Sequence, residues 1–150
     1  MYKVLIVEDD PMVAMINEQY IKRNKNFQLV GKCKDGAAAL EFLEQNSVDL
    51  IVLDVYMPHM DGLETLRTIR NRQIPVDAIM VTAANDRSSV EEALHLGIVD
   101  YLVKPFTFDR FQMALEKYEG RQSVVYFCAV SYNYFTVNVH YNSIFYSADC

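Results

Sequence analysis

Short apolar runs with no polar alternation constrain this chain most. Val4-Leu5-Ile6-Val7, Leu50-Ile51-Val52-Leu53, Ala78-Ile79-Met80-Val81 and the shorter Tyr101-Leu102-Val103 are each bounded by polar or turn-forming residues. Such a run reads as a strand buried on both faces, the habit of parallel sheets. Leu29-Val30 adds a weaker strand signal. Between the runs, apolar residues return at helical spacing. Val13, Ile16 and Tyr20 follow Asp10-Pro11, and Leu40 and Leu43 follow Asp35-Gly36. Leu63, Leu66 and Ile69 follow Asp61-Gly62. Ser88 and Glu91 have capping-box spacing and predict the start of a helix through Val90, Ala93 and Leu94, stopped by Gly97. Phe108, Phe111, Leu115 and Tyr118 line a last helix, which Gly120 is expected to close. Strand then helix, five times over, predicts a three-layer α/β domain: a parallel sheet with helices on both faces and right-handed crossovers.

At 150 residues the chain is long enough for one domain with a proper core. Its net charge of −6 argues against a nucleic-acid surface, which needs clustered Lys and Arg. Cys33, Cys128 and Cys150 are widely spaced and without metal-like pairing, so reduced thiols are expected. The apolar opening run is too short for a signal sequence or a membrane span, and the expectation is a soluble, cytoplasmic protein without membrane contact.

Three of the apolar runs end in groups that carry chemistry. Val7 is followed by Glu8, Asp9 and Asp10, Leu53 by Asp54, and Val81 by Thr82. In the flavodoxin-like strand order 2-1-3-4-5, the first and third strands are neighbours at the point where the order reverses, and ligands bind outside the carboxyl ends there. Glu8, Asp9 and Asp54 would then converge, joined by Thr82 and Lys104. Packed carboxylates push one another toward protonation unless a cation joins them. Hard oxygen ligands with open water positions suit Mg²⁺. A carboxylate beside Mg²⁺ can act as a nucleophile toward phosphorus, giving an aspartyl-phosphate. Phosphoryl transfer asks mainly for positioning and charge neutralisation, which Mg²⁺ and the Lys104 ammonium would supply, with a hydrogen bond from Thr82.

These residues resemble the receiver domains of two-component response regulators. The matching marks are Val7-Glu8-Asp9, the Asp54 strand with Met57-Pro58 and Asp61-Gly62, Thr82-Ala83, and Tyr101 with Lys104-Pro105-Phe106. The resemblance covers roughly residues 1–119 and implies the chemotaxis-receiver-like version of the fold. It implies that Asp54 is the phosphoacceptor and that Glu8, Asp9, Asp54 and the Tyr56 backbone carbonyl hold Mg²⁺. Thr82 and Lys104 would contact the phosphoryl group, and Tyr101 would be the aromatic switch that follows Thr82. A cis Lys104–Pro105 peptide is implied as well. The implied partner is a sensor histidine kinase, with an output or homodimer face on the fourth helix, fifth strand and fifth helix. Asp54-Val55-Tyr56-Met57-Pro58 is similar to the branch that answers citrate, malate and C4-dicarboxylate kinases. In the family, the second residues after the acceptor and after the threonine tune hydrolysis. Here they are Tyr56 and Ala84, neither of which readily orients a water, so a phosphorylated lifetime longer than seconds is expected.

Simpler roles suffice elsewhere. Asp10 reads as a helix cap before Pro11, and Asp61 serves the turn with Gly62. His59, His95 and His140 lack ligand spacing, and the seven methionines are core fillers. A reading from another class is a Mg²⁺-dependent small-molecule phosphotransferase or phosphatase. Such enzymes usually need a second acid two residues beyond the nucleophile, where Tyr56 stands, so a switch is expected rather than a multiple-turnover enzyme.

From residue 120 the composition changes. Residues 121–150 hold Arg121 and Asp149 but no Lys or Glu, and they are rich in Tyr and Phe. Val137 and Val139 alternate with Asn138 and His140 in strand period. Three readings of this tail stand open. It is foreign sequence, which the composition favours; or a β-hairpin packed on the domain or on another copy; or an aggregation-prone edge segment. No amphipathic helix pair or basic face predicts a DNA-binding domain, so DNA would be reached only through an effector domain outside this chain.

Overall fold

The computed structural model describes residues 1–83 and 86–145, the last sixteen of these (130–145) by backbone alone. The elements run β1 (Tyr2–Val7), α1 (Pro11–Lys22), β2 (Phe27–Cys33), α2 (Gly36–Gln45), β3 (Leu50–Asp54), α3 (Gly62–Asn71), β4 (Asp77–Ala83), α4 (Arg87–His95), β5 (Asp100–Lys104) and α5 (Phe108–Phe145). The sheet is parallel throughout, in the order β2-β1-β3-β4-β5. This is the three-layer architecture that the strand–helix alternation predicts, in the flavodoxin-like strand order that the resemblance implies.

Both faces of the central strands are buried. Leu5, Val7, Ile51, Leu53, Ala78 and Met80 join a core with Leu40, Leu43, Leu66, Ile69 and Ala93 from α2, α3 and α4. The alternate residues Val4, Ile6, Leu50, Val52 and Ile79 are equally buried and point to the opposite face. There α1 buries Ala14, Asn17 and Ile21. Tyr20 of α1 packs edge-on against Phe106 and Phe108 and tilted against Phe111.

Register puts the chemistry-bearing residues at one level. Val7 pairs with Leu53, Asp54 with Val81, Thr82 with Val103 and Ala83 with Lys104. Glu8 and Asp54 therefore each stand one residue past a paired position on adjacent strands, at the carboxyl edge. Caps set how the chain leaves that edge. The Asp10 side chain accepts from the N–H groups of Met12 and Val13, the Asp35 side chain from Ala38 N–H, and the Asp61 side chain from Glu64 N–H. The Lys104–Pro105 peptide is cis, as the resemblance implies.

Four local expectations are corrected. β2 spans Phe27–Cys33 rather than Leu29-Val30 alone, because its polar residues face outward along a sheet edge. Asp86, not Ser88, caps α4, its carboxylate accepting from Ser89 N–H at 3.1 Å. α5 does not close at Gly120; glycine inside a helix costs about 1 kcal/mol relative to alanine, too little to stop one. The helix continues through Phe145, so Val137 and Val139 lie in helix rather than strand. Extending an existing helix adds one hydrogen bond per residue with no new nucleus, and four residues of strand alternation do not outweigh that. No described helix is long and apolar enough to cross a membrane.

Gly62 closes the loop after β3. Its N–H donates to Val55 O at 2.8 Å, and a Cβ there would lie 2.1 Å from Asp54 O. Gly62→Ala is therefore expected to lower unfolding free energy by about 2 kcal/mol or more in urea titration, since backbone rather than a flexible side chain must move. A neutral result would contradict the closeness of that approach.

Candidate functional site

At the carboxyl edge, Glu8, Asp9 and Asp54 each present a carboxylate oxygen, all within 4.8 Å of one another. Glu8 and Asp54 are 4% and 3% exposed, whereas Asp9 faces solvent. Lys104, from the end of β5, reaches over them. Its Nζ lies 3.2 Å from Glu8 Oε2 and 3.4 Å from Asp54 Oδ1. Glu8 Oε1 accepts from Asp10 N–H at 3.0 Å. Asp10 itself turns away into its cap.

Burial dominates the electrostatics. It pushes Glu8 up to about 7, helped by the neighbouring Asp54 charge and opposed by Asp10 N–H and Lys104. It also raises Asp54, with Lys104 and Tyr56 N–H opposing. For Lys104 burial works against the charge, but Asp54 and Glu8 outweigh it and hold the ammonium firmly protonated.

With all three ionised, these carboxylates against one ammonium would leave two negative charges in a half-enclosed space, which is why burial pushes Glu8 and Asp54 toward protonation. Glu8 Oε2 is buried and, beyond its 3.2 Å ion pair with Lys104 Nζ, makes no hydrogen bond of good geometry. A buried anionic oxygen in that condition is costly, and a bound cation would satisfy it. All the donors are hard oxygens, so the set fits a hard divalent cation such as Mg²⁺.

Thr82 and Tyr56 lie at the same edge, whereas Tyr101 pairs with Met80, three positions before Lys104 on β5. Thr82 is buried one position beyond Val81, and its hydroxyl makes a long 3.4 Å bond to Ala83 O. That bond is weak enough to exchange for a better acceptor. Tyr101 is half-buried against the core and lines a separate hollow of about 320 Å³ with Ala83, Asp86, Arg87, Val90, Glu91 and Val103. Its backbone is held on both sides: Tyr101 N–H donates to Asp100 Oδ1 at 2.9 Å, and Arg110 donates to Tyr101 O at 2.7 Å. Tyr56 is 57% exposed, and its hydroxyl donates to Asp86. The bond to that carboxylate raises the phenol above its ordinary range. Ala84 lies outside the described residues. His59 and His95 are exposed and stand apart from the carboxylate cluster.

The contact of Tyr56 with Asp86 has no counterpart among the sequence expectations. An Asp just before Arg87-Ser88-Ser89 is a cap signal that competes with the one at Ser88, but its second partner, thirty positions back, leaves no local trace.

Comparison with known proteins agrees with this geometry. Residues 4–116 match the response regulator receiver domain family. The chain is 45% identical over 124 residues to the transcriptional regulatory protein MalR of Bacillus subtilis, covering 83% of this chain and 53% of that protein. It is 44% identical over 117 residues to a Halalkalibacterium halodurans protein named "Probable C4-dicarboxylate response regulator DctR", covering 78% and 51%. The chain thus spans about half the length of these curated relatives. Among solved structures, the response regulatory domain of protein mrkE from Klebsiella pneumoniae superposes with a TM-score of 0.72 at 30% identity, over 79% of this chain and 96% of that one.

The raised Glu8 value has a stability consequence. Folding holds a proton on Glu8 that the unfolded chain releases near 4.5, so its contribution is full below about 4.5 and is lost as pH rises through about 7. Without divalent cation, Glu8→Gln is expected to be more stable than wild type near pH 8 by about 1–3 kcal/mol, with the gap closing below about pH 5. Urea unfolding in a chelator at both pH values measures this; a gap independent of pH would contradict it.

Proposed function

Since the chain belongs to the response regulator receiver domain family, we propose that it works as the phosphate-accepting switch of a two-component system, with Asp54 as the acceptor. The observation that carries this reading is the shared edge site: Asp54 buried beside Glu8 and Asp9 with the Lys104 ammonium 3.4 Å away. A sensor histidine kinase is the donor. An Asp54 oxygen attacks phosphorus, the new O–P bond forms as the bond from phosphorus to the donor histidine nitrogen breaks, and that nitrogen keeps the electron pair. Asp9, Glu8, Asp54 and the Tyr56 carbonyl would hold Mg²⁺, which when bound offsets negative charge on the transferring group. Lys104 balances charge from the β5 side, and the Thr82 hydroxyl gives up its long bond to Ala83 O for a phosphoryl oxygen. Tyr101 then follows Thr82, and the surface formed by α4, β5 and the start of α5 changes. That surface serves as the output and homodimer face.

Family members are signalling switches, and Tyr56 occupies the place where a turnover enzyme would carry its second acid. By extension from the dicarboxylate-named relative, the cognate kinase answers a C4-dicarboxylate or a similar organic acid in the cytoplasmic signalling route of that group. DNA is reached through an effector domain of the kind that the longer relatives leave room for.

Incubation with Mg²⁺ and acetyl phosphate, followed by intact mass, tests the chemistry. One phosphoryl mass per chain is expected, absent in Asp54→Ala and absent with chelator; no uptake by wild type would contradict the assignment. After donor removal, the label should persist for minutes rather than seconds, because neither Tyr56 nor Ala84 readily orients an attacking water. Loss within seconds would contradict that.

A further inference from the structure

Tyr56 touches two parts of the domain at once. It stands two residues past Asp54, on the loop that leaves β3, and its hydroxyl donates to Asp86 Oδ2 at 2.5 Å. Asp86 Oδ1 meanwhile accepts from Ser89 N–H at 3.1 Å and from the Ser88 hydroxyl at 3.4 Å, capping α4. One oxygen of Asp86 therefore holds the helix, and the other holds the loop that follows the phosphoacceptor. Asp86 N–H also donates to Ala83 O at 3.3 Å, the same carbonyl that the Thr82 hydroxyl reaches at 3.4 Å. A phenol 57% exposed has water at hand and needs no protein partner. Its bond to an ionised carboxylate on another element fixes two segments that would otherwise move independently.

We propose that Tyr56 and Asp86 are positioning residues: their hydrogen bond is a latch that holds the first turn of α4 in the resting arrangement, and phosphorylation of Asp54 releases it. The inference rests on the reading of Asp54 as phosphoacceptor. Both ends of the latch are tied to that event. Phosphorylation turns the Asp54 carboxylate, two residues before Tyr56, into an acyl phosphate carrying nearly two negative charges, and the Tyr56 phenol already feels the Asp54 charge. The Thr82 hydroxyl, drawn to the phosphoryl group, leaves the Ala83 carbonyl that it shares with Asp86 N–H. The phosphoryl group thus favours the released arrangement through contacts that differ between the two states.

Hydrogen exchange at the Ser89 and Val90 amides tests the latch in the whole chain, with and without Mg²⁺ and beryllofluoride as phosphoryl analogue. Tyr56→Phe removes only the hydroxyl. Asp86→Ser keeps a good cap but is too short to reach the phenol. In the resting protein each variant should exchange about fivefold faster than wild type, the worth of one modest hydrogen bond, and the double variant should add nothing further. Beryllofluoride should raise exchange in wild type by a similar factor and should leave Tyr56→Phe unchanged. A merely structural cap would leave that analogue-dependent increment intact in Tyr56→Phe, and this result, or resting exchange equal to wild type, would overturn the latch. Wild type that gains no phosphoryl mass from acetyl phosphate overturns the reading of Asp54 instead. Uptake by wild type together with an undiminished increment in Tyr56→Phe overturns the latch alone.

Discussion

Carboxylates crowded at the ends of two adjacent strands are the constraint on which the rest of this structure depends. Glu8 and Asp54 are nearly inaccessible to water, yet each sits against another acid. Such an arrangement lowers stability by itself and persists only because the surrounding fold over-determines it. The strand order makes β1 and β3 neighbours, and their register brings Glu8 and Asp54 level. Asp10 and Asp61 then cap the helices that follow, so that backbone N–H groups meet the departing chain.

Lys104 is the counterpart to that crowding. Lying 3.2 Å from Glu8 and 3.4 Å from Asp54, it takes part of the place that a divalent cation would fill. With all three acids ionised, its single positive charge would leave two negative charges unbalanced, and Glu8 Oε2 has no well-formed hydrogen bond beyond that ion pair. The site is therefore poised for positive charge, with solvent-facing Asp9 at its mouth. A strongly satisfied cluster would have no reason to take up an ion or a phosphoryl group. The proposed function draws on a deficit built into the edge of the sheet.

Much of this was legible in the sequence, for physical reasons that differ by element. Strands buried on both faces announce themselves as unbroken apolar runs, which is why β1, β3, β4 and β5 could be read directly. β2 could not be read fully, since an edge strand with outward polar residues looks like loop. The α1 cap was readable because Asp10 precedes Pro11. The α4 cap was misplaced by two residues because Ser88 carries a competing local signal. Past Gly120, strand-like alternation over four residues yielded to continuation of a helix already formed. The convergence of Glu8, Asp9, Asp54 and Lys104 followed once a strand order was assumed. The hydrogen bond between Tyr56 and Asp86 had no such route, because it joins two loops through side chains alone.

The central claim is that these acids form one binding site whose charge a divalent ion completes. Melting temperature measured against Mg²⁺ concentration at neutral pH tests it most directly, in wild type and in Asp9→Asn. The account predicts a saturable rise in wild type, because an ion that binds only the folded state stabilises it by mass action, and a response much weakened in Asp9→Asn. A melting temperature indifferent to Mg²⁺, or a rise that Asp9→Asn leaves intact, would contradict it.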